Sequence, residues 1–196
     1  MQVPSDFKIR TNYTIIKVDD DTLISIMAKF MDLPREEISS MWKLHKELEN
    51  IVPRVLREYK WEYYEKLKIY KWHNIVPAVL RNELATLLTW TTVTPTFKAN
   101  KIAMWSWSTT PLNTDTELQT ETIRWDFSDR YAIDNIAYLD KFRSSWEVGG
   151  NSYQEVGIFV DGTWTVNTWY LLSRILINET MTSTETLSIN ASIEIV

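Results

Sequence analysis

Between Thr186 and Ile195 the side chains change character at every step. Leu187, Ile189, Ala191, Ile193 and Ile195 alternate with Ser188, Asn190, Ser192 and Glu194. A period of two excludes a helix, because helical neighbours lie three and four residues apart. It predicts a strand with one apolar face in a core and one polar face turned to solvent. The same texture runs back to Phe97, in a stretch rich in Thr, Ser, Trp, Ile and Val. Strands are expected over 97–107, 117–127, 131–147, 153–160, 164–178 and 185–195. Turn clusters at 109–115, at Gly149-Gly150-Asn151 and at Asp161-Gly162 separate several of them. Short strands punctuated by turns predict an antiparallel β-sandwich of jelly-roll-like type.

The first half reads differently. Phe7 to Val18 alternates and predicts a strand or extended arm, able to add a strand to a neighbouring molecule. Asp19-Asp-Asp21 suits a turn or a helix cap. Thr22 to Leu33 follows with helical spacing through Leu23, Ile26, Met27 and Phe30. Pro34 restarts a helix, with acids in its first turn. Pro53 is expected to begin the next one. There Leu56, Tyr59, Tyr63, Leu67 and Tyr70 form one stripe, and Trp61, Tyr64, Lys68 and Trp72 a second. Two aromatic stripes on one helix predict burial on more than one side. Tyr59, Trp61, Tyr64 and Trp72 are therefore candidates for an oligomer interface, with a central core helix as the alternative. The segment Asn50-Ile-Val-Pro-Arg-Val-Leu-Arg57 recurs almost unchanged as Asn74-Ile-Val-Pro-Ala-Val-Leu-Arg81, and both copies read as helix starts. The expected class is α+β, with an arm and helical region over 1–94 and a β-sandwich domain over 95–196.

Charge supports two segments of different character. Residues 1–94 carry 14 Lys and Arg against 13 Asp and Glu, and residues 95–196 carry 7 against 13. The overall charge of −5 disfavours nucleic acid as a partner. No run approaches the length of a membrane span, and the first residues lack the regions of a signal peptide. With no Cys and only two His, neither thiolate chemistry nor a zinc site is expected. No nucleotide loop or nucleophile elbow occurs. The chain is expected to be no enzyme and to need no cofactor.

Several short motifs stand in a definite order. They are Asn74 to Leu88, Lys101-Ile-Ala-Met-Trp-Ser-Trp-Ser-Thr-Thr-Pro111, and Thr114, Asp115, Thr116, Leu118, Glu121 and Arg124. Glu155-Val-Gly-Ile-Phe159 follows, and then Leu171, Leu172, Arg174, Thr186, Leu187 and Ile189. In this order they resemble the β-sandwich structural proteins among tail-fibre, baseplate and minor tail components of tailed viruses, over about residues 74–196. The chain departs from that pattern at Met104-Trp-Ser-Trp107, where Gly-rich text is usual. The resemblance implies a structural subunit of a virion tail, assembling with copies of itself and with other tail proteins.

Two groups of side chains carry specific expectations. Glu121, Arg124, Glu155 and Arg174 sit in apolar strand text. Buried charges must be paired, so at least one of the acids is expected to meet one of the arginines, the alternative being four solvated charges. Gly157, inside a strand, marks a bulge or a close backbone approach. Trp105, Trp107, Trp164 and Trp169 offer a second function, a stacking platform for a host-surface glycan.

Overall fold

The computed structural model describes residues 9–44, 48–59, 64–74, 98–106, 110, 112, 114–118, 121–165 and 170–195. Strand β1 (Ile9–Asp19) leads into helices α1 (Asp20–Met31), α2 (Arg35–Leu44) and α3 (Leu48–Tyr59). A short 3-10 turn (Tyr64–Lys66) precedes β2 (Lys68–Asn74). The remaining strands are β3 (Ala99–Trp105), β4 (Glu121–Asp126), β5 (Asp129–Ile133), β6 (Ile136–Arg143), β7 (Ser152–Val160), β8 (Tyr170–Thr180) and β9 (Glu185–Ile195). A one-turn helix, α4 (Ser145–Val148), joins β6 to β7.

The strands form two antiparallel sheets, one of five strands in the order β2-β1-β9-β6-β5 and one of four in the order β4-β3-β7-β8. A single apolar cluster takes Tyr13, Ile15, Leu139, Leu187 and Ile189 from the first sheet. It takes Ile102, Met104, Val156, Ile158 and Ile175 from the second. The two inner faces thus share one core, in a sandwich-like arrangement.

Part of each outer face is covered as well. Ile16, Val18 and Phe142 point away from that core and pack with Leu23, Ile26, Met27, Val52, Val55 and Leu56 of the helices. Asp19 starts this layer as an N-cap, its carboxylate accepting from the Thr22 backbone N–H at 2.8 Å. The layer explains why Ser188 is fully buried although it lies on the polar side of β9. That side was expected to meet solvent, and at Ser188 it meets helices instead. On the other sheet, Leu118 closes over Ala103, Trp105, Phe159 and Leu171.

The first half departs from the expected arrangement. The strand expected over 7–18 is present as β1, but it is built into a sheet and does not stand apart as an arm ahead of a separate helical region, and the helices lie across that sheet. β1 is registered to β2 on one side and to β9 on the other. Residues 11–17 therefore have both edges occupied within the chain and cannot add a strand to a neighbour, and residues 1–8 of the expected arm lie outside the described residues. The five-stranded sheet joins β1 and β2 to β5, β6 and β9 and so crosses the expected boundary at residue 94.

The long helix expected after Pro53 is also absent. Pro53 lies inside α3, which ends at Tyr59, and residues 68–74 are a strand. Ile69, Tyr70 and Trp72 favour a strand, and alternation sends Ile69 to the helical side of the sheet and Tyr70 to the inner core. The 3, 4, 4, 3 spacing of Leu56, Tyr59, Tyr63, Leu67 and Tyr70 does not mark one helix: Leu56 and Tyr59 belong to α3 and Tyr70 to β2, while Tyr63 lies outside the described residues. Asn74 ends β2, and residues 75–88, where the second copy of the repeat is expected to run on as a helix, lie outside the described residues.

Candidate functional site

The four charges singled out in the sequence all lie on the outer face of the four-stranded sheet. Arg124 donates through Nε and Nη2 to the two carboxylate oxygens of Glu121, each at 2.5 Å. Its third nitrogen, Nη1, reaches the Thr163 carbonyl at 3.2 Å, and the guanidinium lies 4.1 Å from the Phe159 ring centroid. Arg174 donates from Nε to Glu155 at 2.8 Å and again from Nη2. Its Nη1 donates to Asp115 at 2.5 Å. The side chains of Glu121 and Glu155 are fully buried and both arginines nearly so. Fork-shaped guanidinium groups suit such sites because one planar cation serves several acceptors.

Asp115 arrives from the connection between β3 and β4. Its carboxylate also accepts from the Leu112 backbone N–H at 2.7 Å, so one side chain shapes the turn and ties it to Arg174. Three residues later Leu118 enters the sheet's outer face. It lies so close to Gly157 that a Cβ there would stand 2.8 Å from Leu118 Cδ2. Gly157→Ala is expected to lower stability by about 1–3 kcal/mol through overpacking. Urea unfolding measures this, and an unchanged midpoint would show that Leu118 moves aside without cost.

The tryptophans separate. Trp105 is completely buried and is no platform for a ligand. Its strand position directs it to the outer face of the sheet, where Leu118 covers it. Trp164 is 66% exposed and holds the Lys101 ammonium 3.4 Å from its ring centroid, a cation–π contact. Trp107, Trp169 and Trp61 lie outside the described residues. Tyr59 is half-buried and meets Phe30 edge-on at 6.0 Å, within the chain's own helical layer. Tyr64 falls in the 3-10 turn and Trp72 on β2, so the four proposed interface residues do not share one helix.

A second polar centre escaped the sequence reading. Arg57 of α3 reaches down to the five-stranded sheet and donates to Asp140 at 2.6 Å and to the Tyr131 hydroxyl. Asn190 donates to the other oxygen of Asp140 at 2.8 Å. Burial pushes the Asp140 carboxyl above its ordinary pKa, opposed by the Asn190 hydrogen bond and by Arg57. Tyr131 stacks on Tyr138 with centroids 4.9 Å apart. Arg57 and Asp140 are far apart in sequence, and each looks like a solvated charge on its own element. Only the lone acid between Leu139 and the Lys141-Phe142 pair hinted at burial.

Among the described residues no group of three His, Asp or Glu side chains is placed to hold a metal ion. Nor is any helix there long and apolar enough to cross a membrane. No known family, curated protein or solved structure matches the chain.

Proposed function

We propose that the chain is a non-enzymatic structural component of a virion tail apparatus, an adaptor, nozzle, baseplate or fibre-type subunit working as a homo-oligomer. The observation in its favour is where the residues carrying the resemblance lie. Asp115, Leu118, Glu121, Arg124, Glu155, Gly157 and Arg174 gather on one sheet face, as mutual partners. Their charged groups are largely buried and turned toward one another. Their work is to clamp a loop onto a sheet and stiffen it, which suits a jelly-roll-like module that transmits shape and carries out no reaction.

Native mass measurement of the purified chain tests the reading. A discrete oligomer with the mass of a closed ring or trimer is expected. A monomer that persists at high concentration would overturn it. Replacing Trp61, Tyr64 and Trp72 together by Ser is expected to dissociate that oligomer, and an unchanged mass would remove these residues from the interface. The alternative, glycan stacking on tryptophan, retains Trp164 as its exposed indole among the described residues.

A further inference from the structure

On the outer side of the five-stranded sheet, three consecutive rungs cross β1, β9 and β6. They are Ile16–Ser188–Phe142, Thr14–Asn190–Asp140 and Asn12–Ser192–Tyr138. The first rung is fully buried under the helices, whereas every member of the last is only half-buried. The helical layer therefore stops partway along the sheet, and Arg57 marks its edge. Beyond that edge lies a cavity of ≈190 Å³ lined by Asn12, Thr14, Asn190, Ser192, Tyr138 and Arg57.

We propose that this cleft binds a neutral polyhydroxylated ligand, a single sugar ring presented alone or at the end of a saccharide. The proposal is independent of the virion reading. It also uses none of the tryptophans.

Charge argues for a neutral occupant. Arg57, the cation lining the cavity, is engaged by Asp140, and Asp140 has a second partner in Asn190. An anion would compete with Asp140 for the guanidinium, and a cation would compete with Arg57 for the carboxylate. The remaining polar lining consists of amides and hydroxyls, which both donate and accept. A sugar hydroxyl does the same, so each can be matched without leaving a buried charge.

Shape argues for a ring. A cleft of ≈190 Å³ has room for one six-membered sugar ring. Tyr138 supplies an aromatic wall, and its stacking on Tyr131 holds it in place for the C–H face of a sugar. The polar groups are placed in advance. Asn12 Nδ2 lies 3.4 Å from Ser192 Oγ across adjacent strands, and the Arg57–Asp140–Asn190 chain fixes the floor. Such preorganisation reduces the ordering cost of binding. The ligand would replace waters whose hydrogen bonds its hydroxyls reproduce.

Saturation-transfer NMR on the full chain tests this. The probes are glucose, galactose, mannose, fucose and N-acetylglucosamine, with glucuronic acid and sialic acid as charged controls, each at roughly 20 mM to reach weak affinities. At least one neutral sugar is expected to receive saturation. The Asn12→Ala and Ser192→Ala variants are each expected to weaken its binding about fivefold, the effect of one neutral hydrogen bond. Both residues are half-buried, and unchanged circular dichroism and Tm show that each variant is folded. If a variant fails that check, ring-proton shifts of Tyr138 on titrating the bound sugar into the unaltered chain locate the site instead. The proposal is overturned if no neutral sugar gives a signal, if only the charged sugars do, or if binding is unaffected in folded Asn12→Ala and Ser192→Ala. It is equally overturned if the Tyr138 shifts stay still.

Discussion

Arg174→Met is expected to cost about 3–5 kcal/mol of folding free energy, the range for breaking a buried ion pair on one side only. The reason is what stays behind. Glu155 is fully buried, and Asp115 has 15% of its side chain exposed. Without the guanidinium, the two carboxylates lose their shared cation. Methionine fills much of the space but offers no donor, so Glu155 must lose its charge or the 112–118 segment must lift to admit water. Urea unfolding followed by tryptophan fluorescence reads the loss directly, since Trp105 lies under that segment. Adding Glu155→Leu to Arg174→Met is expected to recover a large part of the stability, because an apolar pair of similar volume often matches a buried ion pair. A single variant within about 0.5 kcal/mol of the unaltered chain would show that the Arg174 cluster adds nothing to stability.

The second large effect is at Trp105. Trp105→Ala is expected to lower stability by about 3–5 kcal/mol, as for truncating a large buried aromatic. The indole is fully enclosed with Ala103, Leu118, Phe159 and Leu171, so its removal leaves a cavity beneath the covering loop. Its Nε1 makes no hydrogen bond among the described residues, so Trp105→Phe is expected to cost distinctly less than Trp105→Ala. If Trp105→Ala unfolds at the same urea concentration as the unaltered chain, the residue does not pack as described. A platform tryptophan would give that opposite pattern, with stability kept and ligand binding lost.

These two sites show what the sequence disclosed and what it withheld. Leu187, Ile189 and Ala191 alternate so regularly that β9 was plain, and Tyr153 to Val160 and Ala99 to Trp105 behaved similarly. Charges inside apolar strands pointed to pairing because an isolated buried charge is so costly, and Glu121–Arg124 and Glu155–Arg174 are paired. Nothing local revealed that Asp115 would join them, since it sits in ordinary turn text.

Which tryptophan is covered depends on where a loop returns. Trp105 and Trp164 therefore looked alike as sequence and differ completely in exposure. Residues 68–74 misled because aromatics in a helix, a turn and a strand happened to keep a helical interval. Ser188 misled because alternation identifies two faces of a strand without saying what lies against either. The Arg57–Asp140 centre required a helix to be laid across a sheet before its members met.

The pairing of β1 with β9 has a consequence for how the protein is made. Residues 9–19 leave the ribosome well before one of their two partner strands, residues 185–195. β2 can dock soon after its synthesis, but the middle of the five-stranded sheet stays incomplete until β9 has emerged. Ile15 and Ile16 must wait beside an unfilled strand position until then. Such long-range closure slows folding and exposes an adhesive edge meanwhile. The helices α1–α3, synthesised directly after β1, are the segment available to shield its outer side during that interval. In the finished fold they cover Ile16 and Val18 of that strand.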